Sequence, residues 1–161
     1  MIEVPAGLAE LVRPWASLYE DSKTVSDLVT ATHLIGLLVG GGAAVTLDRE
    51  TLAFARSGEV ATPELLGRLA RTHRWVLIGI VLLVVSGLLQ TASDLKTFLP
   101  APLFWGKLAL FALLLVNGWV MLRSERDAAA GRTGRLRLTA GISLTLWIVL
   151  TLVGVFLTSI G

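Results

Sequence analysis

The sequence predicts an all-α integral membrane protein: an antiparallel four-helix bundle with both termini on the non-cytoplasmic side. Three observations carry this reading. The 161 residues are 54% hydrophobic and only 16% charged, with a mean hydropathy of +0.75, far more apolar than a soluble domain of that length. Four apolar runs, at 25–47, 75–91, 103–122 and 136–160, lie close to the roughly 20 residues a helix needs to cross a bilayer core. The basic residues, finally, are concentrated in two of the loops that join these runs.

The runs are apolar all round rather than alternating, and lipid offers no partner to the backbone groups of an open strand, so each run is expected to be a helix. Together they use nearly the whole chain and leave no room for a Rossmann or hydrolase core. The chain has no cysteine, which excludes a disulfide framework, a thiolate zinc site, an iron–sulfur cluster and a cysteine nucleophile. The formal charge of +2 and pI near 9.5 do not signal nucleic acid, because the basic residues sit beside apolar spans, where membrane topology accounts for them.

Residues 1–24 precede the first span. Leu8, Leu11, Val12, Trp15, Leu18 and Tyr19 recur at three- and four-residue spacing, which predicts an amphipathic segment, kinked or started by Pro14. Such a segment suits the outer membrane surface or a neighbouring subunit. The first residues lack a basic start followed by an apolar stretch, so no cleavable signal peptide is expected and the tail crosses with the first span.

The first helix is expected to continue past Asp48 toward Arg56 and to end near Ser57-Gly58. Thr62-Pro63-Glu64 supplies an N-cap, a proline at the first helical position and an acid in the first turn, so the second helix should start near Pro63, ahead of its apolar run. The two then form a long hairpin protruding into the cytoplasm. Arg49, Arg56, Arg68, Arg71 and Arg74 lie in this connection, and Arg123, Arg126, Arg132, Arg135 and Arg137 lie between the third and fourth spans, ten of the fourteen Lys and Arg in all. By the positive-inside rule both connections are cytoplasmic. Arg68, Arg71 and Arg74 fall near the membrane surface, where each can contribute about 1 kcal/mol toward anionic lipid.

Between the second and third spans, Pro100-Ala101-Pro102 breaks the chain, and Phe98, Phe104 and Trp105 make an aromatic belt at the outer surface. Lys107 is placed to snorkel toward that surface. The two hairpins show no convincing internal repeat.

Several residues inside the spans could carry function. Gly36 and Gly40 form a GxxxG motif running into Gly41 and Gly42, and Gly79 and Gly87 put a similar stripe on the second helix. Small residues at such spacing let a neighbouring backbone approach closely, for packing within the bundle, contact with another subunit or room for a flat cofactor. His33 lies about 12 Å along the helix from Val25, a depth at which an imidazole faces protein, a cavity or a ligand rather than lipid. It can ligate haem iron or a chlorophyll-type magnesium, donate one hydrogen bond to a neighbouring helix, or handle protons. His73 is not its partner. If the hairpin turns near Glu59, facing residues sum to about 118, so His33 faces the neighbourhood of Val85 and His73 that of Val45, an offset of roughly 18 Å. One iron cannot reach both, and His73, between Arg71 and Arg74, suits a solvated or phosphate-facing role. Asn117 is polar within the third span and suits a cross-helix hydrogen bond. The sequence offers no nucleophile with a base, no carboxylate pair, no metal cage and no clear line of acids and bases through the membrane.

Thr32-His33-Leu34-Ile35-Gly36, Trp75 with Gly79 and Ser86-Gly87-Leu88-Leu89, Phe104-Trp105-Gly106-Lys107 and Asn117-Gly118 together resemble the pattern of small bacterial four-helix membrane proteins related to the copper-resistance D and cytochrome b561-like bundles. The resemblance spans about residues 25–122. It implies a bundle of this architecture and, for b561-like members, haem b held by paired histidines, from which this chain departs in the depths of His33 and His73.

The sequence therefore reads as a multi-pass protein of the bacterial inner membrane, with the bilayer and other membrane subunits as partners. Its expected role is that of a non-enzymatic accessory subunit of a larger energy-transducing complex, respiratory or photosynthetic, without a cofactor of its own. The alternative is an electron-transfer or pigment protein that binds haem b or a (bacterio)chlorophyll through His33.

Overall fold

The computed structural model describes residues 5–57, 62–128 and 133–158. All of its regular structure is helical: α1 (Ala6–Asp21), α2 (Lys23–Ser57), α3 (Pro63–Ser93), α4 (Leu95–Phe98), α5 (Pro102–Ala128) and α6 (Gly134–Thr158). Four of these, α2, α3, α5 and α6, are long and apolar enough to cross a membrane. At about 1.5 Å per residue, the 35 residues of α2 and 31 of α3 reach well beyond a 30 Å hydrocarbon layer.

The boundaries follow local chemistry. The Thr62 side chain accepts a hydrogen bond from the Leu65 N–H at 3.2 Å, and Pro63 opens α3. α2 ends at Ser57, while Gly58 lies outside the described residues. Ser22 adopts extended backbone between α1 and α2, closing the first helix through its N–H to the Leu18 carbonyl and opening the second with its hydroxyl, which accepts from the Val25 N–H. The polar positions therefore carry α2 two residues ahead of its apolar run. Asp94 caps the single turn α4, which the sequence reading did not separate from the connection, and α5 starts at Pro102.

The tail forms a helix of its own. α1 runs through Pro14 as one helix, so the proline neither starts nor breaks it. It also lies against its own bundle, packed on α2 and α3, with the Trp15 indole donating to the Leu89 carbonyl at 2.8 Å.

Within the bundle, backbones approach closely at the α2–α3, α2–α6 and α5–α6 seams, while α3 and α5 face one another across a wider gap. The buried face of α2 is a single stripe: Val29, Gly36, Gly40, Gly41, Ala44, Leu47, Asp48, Thr51 and Phe54. Two apolar cores lie along it. One holds Ala44, Val76, Leu114, Trp147 and Leu150; the other, toward the Arg-rich ends, holds Leu47, Phe54, Leu69, Met121, Leu136 and Ala140. The outward faces are themselves apolar, with Leu38, Leu88, Val116, Leu138 and Phe156 all exposed, as a lipid-facing surface requires.

Candidate functional site

Two groups of polar side chains lie inside the bundle, one at each side of the glycine crossing between α2 and α3.

The first is built on His33. Its Nδ1 lies 2.9 Å from the Ser86 hydroxyl on α3, and Ser86 is itself buried. The Ser86 hydroxyl proton points to the Leu82 carbonyl one turn back. The serine oxygen is then an acceptor for the imidazole, so His33 carries its proton on Nδ1 and presents a bare lone pair on Nε2. Gly87 lies under the ring, where a Cβ would stand 3.5 Å from its Cε1. Lys107 is half-buried against α6, within electrostatic range of His33, and a Cβ at Gly154 would lie 3.6 Å from its Nζ.

The glycines predicted to share the His33 face are used for contact with α3. A Cβ at Gly36 would stand 3.0 Å from both the Leu83 N and the Leu82 Cβ, and one at Gly40 would stand 3.0 Å from the Gly79 Cα. These distances leave no slot for a planar macrocycle at Gly36 or Gly40, because α3 fills it. The register explains this. The contacts His33–Ser86, Gly36–Leu83 and Gly40–Gly79 have residue numbers summing to 119, so the small faces of the two helices coincide.

The second group lies between the two apolar cores. Asn117 donates to the Thr139 carbonyl at 3.0 Å, joining α5 to α6, and the Thr139 hydroxyl donates back to its own helix. Asp48, which the sequence reading passed over, is 1% exposed, and neither of its carboxylate oxygens has a hydrogen-bond partner. Ser143 on α6 stands near enough for the carboxylate to feel its hydroxyl, but in a geometry that satisfies neither oxygen. Thr51, one turn further along α2 and wholly buried, also leaves its hydroxyl unpartnered.

Asp48, Ser143 and His73 all line one cavity of about 190 Å³. His73 lines this cavity, and although the residue is partly exposed its Nδ1 is buried without a partner. The remaining wall is apolar, from Ala44, Val76, Ile80, Leu114 and Trp147, and Leu77, Leu115, Trp119 and Leu122 form an exposed rim in the gap between α3 and α5. Asp48 was legible in principle. It follows Gly40 by eight residues and Ala44 by four, which places it on the buried stripe.

Arg68, Arg71 and Arg74 are exposed on α3, and the Arg123 guanidinium stacks on the Trp119 ring at 3.6 Å. Among the described residues, no group of three or more His, Asp or Glu is arranged to hold a metal ion. In comparisons with family models, curated proteins and solved structures, nothing matches this chain.

Proposed function

We propose that this chain is a non-enzymatic accessory subunit of the bacterial inner membrane, packing against a larger energy-transducing complex of respiratory or photosynthetic kind. The bundle is antiparallel, with both termini outside and the Arg-rich connections in the cytoplasm, as the charge asymmetry of the connections favours. Its relation to the copper-resistance D and b561-like bundles belongs to the same reading.

One observation carries it. The outward face of α6 holds a shallow groove lined by Gly134, Arg137, Leu138, Gly141, Ile142, Thr145 and Leu146, and nothing in the described chain lies within 4 Å of a Cβ built on Gly134 or Gly141. At the α2–α3 crossing, Gly36, Gly40 and Gly79 are spent on close backbone approach. On α6 the small residues face outward, where lipid gains nothing from them and a partner helix would gain close contact. The test is migration in mild detergent: the protein should travel with a larger complex, and Gly141→Leu should release it as a folded monomer. Migration of the native protein as a monomer, with no partner in any mild detergent, overturns the reading.

His33 favours a second reading. Its Nδ1–H is fixed by Ser86, as ligating histidines are commonly fixed by a partner on their other nitrogen, and this leaves Nε2 for haem iron or a chlorophyll-type magnesium. The reduced-minus-oxidised absorption spectrum of the protein from its native membranes tests this. A stoichiometric band lost on His33→Ala and kept on His73→Ala supports the cofactor; a featureless spectrum removes it.

A further inference from the structure

We propose that the cavity under Asp48 is a binding site for an ammonium group carried on an apolar body, a membrane amine entering from the side of the bundle. The starting point is the carboxylate. Asp48 is 1% exposed with both oxygens unpartnered, and no Lys or Arg among the described residues pairs with it. A buried, unpaired carboxylate is costly unless it takes up a proton or something supplies donors and positive charge. The cavity beside it provides the room, since about 190 Å³ is far more than one water needs.

The chemistry of the wall selects the ligand. Asp48 offers two acceptor oxygens, the Ser143 hydroxyl can accept, and the unpartnered Nδ1 of His73 is a further acceptor when its proton is on Nε2. Asp48 and Ser143 stand close together across α2 and α6, and their acceptor oxygens suit the N–H donors of a primary ammonium, with His73 lining the same cavity. A divalent metal ion would want six or more oxygen ligands, and one carboxylate among leucines does not provide them.

The mouth selects the rest of the molecule. Leu77, Leu115, Trp119 and Leu122 are exposed on its rim, so the opening faces the bilayer, and an apolar chain can remain in lipid while the head enters. The cavity lies at the level where α2 and α3 turn polar, at Asp48-Arg49 and Arg71-Thr72-His73-Arg74, which is where headgroups lie. The amine can therefore be the headgroup of an aminophospholipid or a free long-chain amine.

The test uses the full chain in phosphatidylcholine nanodiscs, titrated with dodecylamine and, separately, dodecanol, with tryptophan fluorescence as the readout. Dodecylamine should give a saturable change that dodecanol does not, and Asp48→Asn should weaken it by about tenfold or more, the loss expected for a charge-assisted hydrogen bond. Gly118→Leu tests the site with Asp48 intact. Gly118 lines the cavity and nothing lies within 4 Å of a Cβ built there, so the leucine fills the space and should abolish the response in a folded protein. Replacing a fifth of the lipid with phosphatidylethanolamine separates the sources: competition with dodecylamine assigns the site to the lipid headgroup, and an unchanged titration assigns it to a free amine. Equal responses to amine and alcohol, or an unchanged response in folded Gly118→Leu, overturn the proposal.

Discussion

Gly40 and Gly79 meet backbone to backbone at the crossing of α2 and α3: a Cβ on Gly40 would stand 3.0 Å from the Gly79 Cα, and one on Gly79 would overlap the Gly40 backbone. No flexible side chain is there to give way. Gly79→Ala must push the helices apart, and overpacking of this kind costs about 1–3 kcal/mol. Gly42, where nothing lies within 4 Å, provides the control, because Gly42→Ala should be neutral or gain up to about 1 kcal/mol from helix propensity. Unfolding of the purified protein by sodium dodecyl sulfate, followed by circular dichroism, measures both. Equal effects at the two positions would show that the crossing is not tight.

His33 and Ser86 should be energetically coupled. In a double-mutant cycle of His33→Ala and Ser86→Ala, the hydrogen bond across α2 and α3 should appear as an interaction of about 0.5–1.5 kcal/mol. Ser86 retains a second option, its own Leu82 carbonyl, so His33→Ala leaves no orphaned hydroxyl and the cycle reports mainly the pair. Strict additivity of the two single variants would remove the bond.

What the sequence reveals here is set by how local each signal is. The caps at Thr62-Pro63 and the end of α2 are local, and both are readable from a few residues. So was the pairing of His33 with the region of Ser86, because a hairpin register needs only the position of its turn. The fate of α1 was not legible, since packing of Trp15 on Leu89 depends on a contact 74 residues away. Asp48 illustrates a different failure. Its charge marks it as the end of an apolar run, yet its spacing from Gly40 and Ala44 places it on the buried face, and the spacing prevails once α2 continues to Ser57. The cavity beside it was beyond reach, because it arises where α3 and α5 stand apart, a property of tertiary packing alone.

Orientation can be checked with single cysteines, since the chain has none of its own. Arg56→Cys lies on the exposed end of α2 and Lys96→Cys on the exposed turn α4. In intact cells a membrane-impermeant maleimide should label Lys96→Cys and leave Arg56→Cys unlabelled until the membrane is opened. The reverse pattern would place both termini in the cytoplasm.

Trp15→Phe should loosen α1 without unfolding the bundle. The phenyl ring keeps most of the apolar contact but cannot donate to the Leu89 carbonyl, a loss of about 1 kcal/mol. Hydrogen exchange in α1 should accelerate severalfold while exchange across α2 at Gly40 stays unchanged. Acceleration spread over all helices would mean that α1 is part of the bundle's cooperative core.

Asp48→Leu should make the bundle more stable in a membrane free of amines. In the wild-type chain the carboxylate is buried with neither oxygen bonded and no Lys or Arg among the described residues paired with it, so the folded state bears a desolvation cost that the unfolded chain escapes. Leucine has the same branched skeleton, its larger methyl groups have the adjoining cavity to occupy, and it matches the apolar wall of Val76, Leu114 and Trp147. The expected gain is about 1–3 kcal/mol, the usual cost of an unsatisfied buried polar group, read from the same dodecyl sulfate unfolding in phosphatidylcholine bicelles. Adding dodecylamine should then stabilise the wild-type chain and not the variant, narrowing the difference, because a ligand that binds only the folded state raises its stability by mass action. A loss of stability in Asp48→Leu without amine would mean that the carboxylate already has its partners inside the bundle and has no need of a cation from the membrane.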